Sequence, residues 1–141
     1  MQLRLASIVA FYRPDGKILI QDRRNIPKDD IEWGFFGGGW EAGETAEMAA
    51  IREIKEELNI PLFPDDLKKI GLTIREVIDI SRLEVNLFAV QWKPEYSNIL
   101  CIHEGAGYDW ISPKDMRNLH IYSIDYPNID ILEQYFSTLH A

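Results

Sequence analysis

The stretch GGGWEAGETAEMAAIREIKEELNI, residues 37 to 60, opens on three glycines and closes on a group of glutamates, Glu53, Glu56 and Glu57. Carboxylates this close in sequence are hard oxygen donors, and a set of three suits Mg²⁺ or Mn²⁺ rather than zinc. On a helix their placement is unfavourable without a cation. Like charges at i,i+4 (Glu53 and Glu57) and i,i+3 (Glu53 and Glu56) each cost about 0.2–0.5 kcal/mol. Glu56 and Glu57 also meet the negative end of the helix dipole, at about 0.3–1 kcal/mol apiece. Read alone, the group could be a solvated acidic face, but these costs favour a bound positive charge. Gly37, Gly38 and Gly39 permit backbone conformations closed to other residues and a close approach of the main chain to a ligand. A carbonyl from this glycine loop can therefore join the carboxylates.

The helix that must carry the glutamates is predicted from Thr45, a plausible N-cap, to Leu58. Asn59 can take the left-handed conformation that closes a helix, and Pro61 prevents continuation. At about 100° per residue, Met48, Ile51, Ile54 and Leu58 form one side, expected to face the core. The glutamates fall on the other side with Ala46, Ala49 and Ala50, small residues that let another segment approach closely. Ahead of the helix, Leu3 to Tyr12 and KILIQDRR read as two antiparallel strands around the Asp15-Gly16 turn. EWGFF reads as a short strand leading to the glycines. KKIGLTIREVIDI and RLEVNLFAVQW read as two strands joined around Ser81 and Arg82, and Pro94 to Asn98 as a polar loop. ILCIHEGAGYDWIS is expected to have a strand at each end, PKDMRNL to be a helical turn, and NIDILEQYFSTLHA a closing helix. Strands with an inserted helix and a terminal helix give an α/β fold, a mixed sheet covered by helices on both faces. No internal repeat or linker interrupts the chain, so residues 1–141 are expected to form a single domain.

These residues resemble the Nudix hydrolase signature, G-x5-E-x7-R-E-U-x-E-E-x-G-U with U aliphatic. Gly38, Glu44, Arg52, Glu53, Ile54, Glu56, Glu57 and Ile60 occupy its positions, and Asn59 stands where the family has glycine. So many fixed places make the match specific, and a looser likeness extends over most of the chain. The resemblance implies an α/β/α sandwich and hydrolysis of a nucleoside diphosphate linked to another moiety, assisted by Mg²⁺ with Mn²⁺ as the alternative. By position it makes Glu53, Glu56 and Glu57 catalytic metal ligands, with a carbonyl of Gly37 or Gly38 beside them. Arg52 would orient the carboxylates by pairing with Glu44 or Glu53. Glu104, in HEGAGYDWIS, matches a loop glutamate that in some relatives binds metal or acts as general base. Arg23 and Arg24 match a basic position that contacts substrate phosphates. Phe36 replaces the proline of the family's W-x-F-P-G-G approach and bears on the base pocket.

Composition narrows the partners. The net charge of −8 disfavours non-specific attraction to nucleic acid or anionic lipid. An anionic small-molecule substrate must then be drawn in by a local cation. The single cysteine, Cys101, excludes an internal disulfide framework; its apolar NILCIH surroundings predict a buried thiol, not a nucleophile. No stretch approaches the roughly 18 apolar residues of a membrane span, and the N-terminal apolar run lacks a convincing cleavage site, so a cytoplasmic protein is expected. His103, His120 and His140 form no zinc pattern.

Arg75, Glu76, Val77 and Ile78 stand where relatives that cleave ADP-ribose or diadenosine polyphosphates tend to carry proline or tyrosine. The short chain resembles instead the nucleoside-triphosphate-cleaving members. A (deoxy)nucleoside triphosphate giving the monophosphate and pyrophosphate is the leading expectation; a nucleotide sugar, or a sensor that binds nucleotide without turnover, is the alternative. Phe11, Tyr12, Trp33 and Trp40 could stack a base, but aromatic residues in strands are more often core. A homodimer is an open expectation.

Overall fold

The computed structural model describes residues 2–26, 31–77, 81–103, 106–121 and 125–139. Two long strands, β1 (Gln2–Tyr12) and β6 (Ser81–Gln91), run parallel in full register from Gln2 opposite Ser81 to Tyr12 opposite Gln91. The other pairings are antiparallel, so the sheet is mixed, with the order β3-β2-β1-β6-β5. Here β2 is Ile18–Asp22, β3 Trp33–Gly34, β4 Phe36–Gly39, β5 Lys68–Val77 and β7 Gly107–Ile111. Alternation along β1 sends Val9 and Phe11 to one face and Ala10 to the other. The first face packs on α1 (Ala46–Leu58) through Phe36, Ile54, Leu58, Phe88 and Val90. The second packs on α4 (Tyr126–Leu139) through Ile18, Ile20, Leu87, Ile129, Leu132 and Phe136. The α/β/α layering expected from the sequence is present.

The other edge of β1 is shared, and this divides the sheet. Tyr12 pairs with Ile18 of β2, whereas Ala6 to Val9 pair with Gly39 to Phe36 of β4. β2 continues outward to β3 and β7. A cleft of about 160 Å³ lies where Ile8 of β1, Gly34 of β3 and Gly37 of β4 approach one another.

Several elements depart from expectation. The glycines form a strand, β4, in place of the expected loop. Gly37 has φ +136°, and a Cβ there would lie 2.2 Å from the Ser7 carbonyl oxygen and 2.7 Å from Ile8 Cα. Main-chain contact with β1 is what demands glycine at this position. The expected polar loop from Pro94 to Asn98 gives way to a one-turn helix, α2 (Tyr96–Ile99), the expected strand around Cys101 is an irregular segment, and the Cys101 thiol is exposed. Those residues pack along the end of α1 instead of joining the sheet. PKDMRNL begins with a one-turn helix, α3 (Pro113–Met116), as anticipated.

Gly37→Ala should destabilise the fold by about 3 kcal/mol, combining a disfavoured φ with backbone overlap. Gly43→Ala, also at positive φ but with nothing within 4 Å of the added methyl, should cost only about 1 kcal/mol. Denaturant unfolding of the two variants measures the difference, and equal losses would contradict the packing role.

Candidate active site

Helix α1 begins and ends as its sequence dictates. The Thr45 hydroxyl accepts from the Met48 N–H at 3.2 Å. Asn59 closes the helix at φ 61°, donating its N–H to the Lys55 carbonyl, so asparagine serves where glycine is usual. The buried face is the expected one only in part, at Ile54 and Leu58. Ala46, Ala49, Ala50, Ile54, Leu58 and Glu57 are buried, whereas Met48 is 52% exposed and Ile51 only half-buried. The alanines allow β1 and β4 to sit directly on the helix, and the Ser7 hydroxyl reaches through to donate to the Ala46 carbonyl at 2.8 Å. The glutamates therefore border the core, and Glu57 lies within it, 4% exposed.

Arg52 meets Glu44 through Nε and Nη2 at 2.8 Å each, Glu53 through Nη1 at 3.0 Å and Glu56 through Nη1 at 3.3 Å. It also donates from Nη2 to the Gly39 carbonyl at 2.9 Å. Either partner expected for it, Glu44 or Glu53, is thus engaged, together with Glu56. The guanidinium holds the Glu44 carboxyl well below the usual range, at about 2, and the carboxylates raise the Arg52 pKa in return. Glu57 accepts from the Gly37 N–H at 2.8 Å. Gly38 leaves the space its Cβ would fill to the Glu53 carboxylate, whose Cδ would lie 2.7 Å away. Among the described residues no three acidic, histidine or cysteine side chains are already gathered as a metal cage. The donors fit a hard divalent cation all the same: three carboxylates from one helical turn and a half, beside strand carbonyls that glycine leaves open.

The end of α1 is held by the segment before β7. The Cys101 N–H donates to the Leu58 carbonyl and the His103 N–H to the Glu57 carbonyl, each at 3.0 Å, and His103 Nδ1 lies 2.7 Å from the Glu56 carbonyl oxygen. Glu104 itself lies outside the described residues.

The two arginines differ. Arg24 is bound to Asp22 by its N–H, Nε and Nη2 and lies over the Trp33 ring, 5.1 Å from the centroid. Its charge is locally neutralised. Arg23 donates to Gln21 at 2.7 Å and lines the cleft with Gly37, Gly38, Phe35 and Asp125. Phe36 is fully buried between sheet and helix, so its side chain lines no cleft and serves the core. Phe11 is likewise buried, Tyr12 packs on Tyr135 and Phe136, and Trp40 donates from Nε1 to Ser7. A larger depression of about 540 Å³ between β1 and residues 39–44 touches Glu44 but none of Glu53, Glu56 and Glu57.

Sequence reasoning missed Asp125, which is far from the signature and has no pattern around it. It is buried at the start of α4, where Asn128 donates to it at 3.4 Å. Burial pushes its carboxyl up to about 6, against the lowering effects of Asn128 and Arg23.

The chain belongs to the Nudix family: the NUDIX domain matches residues 2–130. It is 27% identical over 127 residues to the CTP pyrophosphohydrolase of Escherichia coli K12, a match covering 87% of each chain. Among solved structures, the E. coli ORF135 protein superposes with TM-score 0.73 at 24% identity, covering 97% of this chain and 91% of that one. A MutT protein from Methanosarcina mazei Go1 also gives 0.73, at 16% identity, covering 99% and 97%. The protein is a hydrolase of diphosphate bonds in small nucleotide substrates, of a family that works with divalent metal. No helix among the described residues is long and apolar enough to cross a membrane.

The folded protein keeps the Asp125 proton up to about pH 6, while the unfolded chain releases it near 3.8. Stability therefore falls as pH rises through that window, by an amount on the order of 2–3 kcal/mol. In chelator, Asp125→Asn should melt several degrees above the wild type at pH 8 and show no gain at pH 4. A gain independent of pH would contradict the buried-acid reading.

Proposed function

We propose that this chain, acting as one domain, hydrolyses a (deoxy)nucleoside triphosphate to the monophosphate and pyrophosphate, with Mg²⁺ as cofactor and Mn²⁺ as the alternative. The observation that carries this reading is the cleft in which Arg23 and Asp125 face Gly37 and Gly38 of β4, the strand whose Gly37 N–H binds Glu57. One wall offers a cation for phosphates and a buried acid able to donate or accept a hydrogen bond. The adjoining wall belongs to the carboxylate group. The likeness to a CTP pyrophosphohydrolase over most of both chains supports a nucleoside triphosphate.

Glu53, Glu56 and Glu57, with a carbonyl of Gly37 or Gly38, would hold the cation. When bound, it supplies charge neutralisation and a water of lowered pKa. Arg52 fixes the carboxylates in one arrangement, as a positioning residue, while Arg23 draws in and orients the phosphates. Hydrolysis breaks one anhydride P–O bond and forms another to a water oxygen, and the water's proton passes to a base. Glu104, on the segment that His103 anchors to α1, is proposed as that base or as a further metal ligand.

Pyrophosphate and phosphate release should be measured from nucleoside triphosphates, nucleotide sugars and dinucleotides, with Mg²⁺, with Mn²⁺ and with chelator. Metal-dependent pyrophosphate release from a triphosphate is expected. Release only from a nucleotide sugar would replace the substrate assignment, and binding without any release would replace the enzyme reading with a sensor. Glu57→Gln keeps an acceptor for the Gly37 N–H but loses the charge, and should lower turnover on the order of 100-fold with an unchanged fold. Normal turnover in that variant would sink the metal assignment. Arg23→Ala should raise KM about tenfold, a loss of roughly one charge-assisted contact, while Arg24→Ala should leave KM nearly unchanged.

A further inference from the structure

One edge of the sheet is β5, ten residues long and paired among the described residues only with β6. A long edge strand offers a row of backbone donors and acceptors to another strand. This one is self-complementary. Its register against β6 places Lys69, Leu72, Ile74 and Glu76 opposite Phe88, Asn86, Glu84 and Arg82, so all four project from the face that carries α1. The irregularity between Lys69 and Gly71 brings this about: Ile70 is the extra residue, and were it paired as an ordinary ladder residue Lys69 would point to the α4 face with Gly71. Gly71 and Thr73 do lie on the α4 face, where Thr73 contacts Asn128 and a Cβ on Gly71 would meet Ile131.

We propose that two copies of this chain join edge to edge, β5 antiparallel to β5, about a two-fold axis at Thr73. In this register Thr73 faces its own copy, Leu72 faces Ile74 of the second copy, Gly71 faces Arg75, and the Lys69–Ile70 bulge faces Glu76. Each half thus has an apolar pair at the centre and a Lys–Glu pair at the end, all on one face. Leu72 and Ile74 are 44% and 50% exposed in the single chain. Edge pairing brings four such side chains together, the arrangement that stabilises antiparallel ladders. Centring on Leu72 instead would set Lys68 against Arg75, and centring on Ile74 would set Leu72 against Glu76. Charge complementarity therefore selects one register, although exposed ion pairs add little affinity.

The test is sedimentation of the full chain over a concentration series, with cysteine cross-linking. The wild type should show a dimer that dissociates on dilution. Glu76→Lys should weaken it at least tenfold, and adding Lys69→Glu should restore it. In a Cys101→Ser background, Thr73→Cys should form an intermolecular disulfide on mild oxidation, because directly opposed antiparallel residues lie about 4.5–5.5 Å apart, within disulfide reach. Arg75→Cys should not, since its copies would sit four residues apart along the strands. A monomer throughout, or a dimer indifferent to Glu76→Lys and not cross-linked at Thr73, overturns the proposal. Should Thr73→Cys fold poorly, the charge reversal and its rescue decide alone. None of these readouts involves hydrolysis, so they stand apart from the assigned activity.

Discussion

A single guanidinium holds the signature together. Arg52 reaches Glu53 and Glu56 on its own helix, Glu44 in the preceding loop and the Gly39 carbonyl at the end of β4. Without it, the carboxylates would repel one another at the helix end where anions are least welcome. Five donors in a fixed plane allow one side chain to face these acceptors at once; a lysine ammonium has neither the fork nor the spread. The arrangement also fixes the loop. Glu44 accepts from the Glu41 N–H at 2.7 Å as well as from Arg52, which ties the turn between β4 and α1 to the helix side. The raised pKa of Arg52 keeps this charge at any physiological pH, so the carboxylates retain their shape while their partners change.

The second compensation lies at the carbonyl end of the same helix. The N–H groups of Cys101 and His103 and the His103 ring occupy the carbonyls of Leu58, Glu57 and Glu56. Carbonyls already bonded to donors present less negative charge to the glutamates of the last turn. The same bonds fix the segment leading towards residue 104 relative to the carboxylates. Asn59 adds to this junction, its Nδ2 donating to the Ile99 carbonyl. Helix termination and the path of the distant segment are therefore one structural feature.

What could be read from the sequence was what depends on neighbours along the chain. The Thr45 cap, the left-handed Asn59, the first hairpin and the paired strands β5 and β6 all follow from local residue types. The core face of α1 is legible in part: Ile54 and Leu58 are buried as expected, but Met48 is exposed and the alanines are buried beside them. Packing a helix directly on a strand whose own backbone must come close requires alanine, so the small residues, not Met48, point inward. Three glycines in a row point to a loop for a similar reason. Their freedom is spent on contact with β1 in an extended strand, a constraint set by Ser7 and Ile8 some thirty residues away. Cys101 followed its apolar neighbours on paper, but it is exposed because its backbone caps α1. Asp125 was invisible, since only folding brings it to Arg23 and Gly38.

That last meeting bears on how an acidic protein receives an anion. With a net charge of −8, the average field repels phosphate, and attraction must come from cations placed locally at the cleft. Arg24 is spoken for by Asp22, and Arg52 by its glutamates. Arg23, which donates to Gln21, lines the cleft with an acid that burial pushes up to about 6. Desolvating Asp125 thus does two things at once. It withholds a competing negative charge from Arg23 in the acid range, and it leaves in the cleft a group that can donate as well as accept. As pH rises and Asp125 ionises, the same burial strengthens its attraction for Arg23. The depth at which α4 places one carboxyl therefore bears directly on the charge the cleft presents to a phosphate.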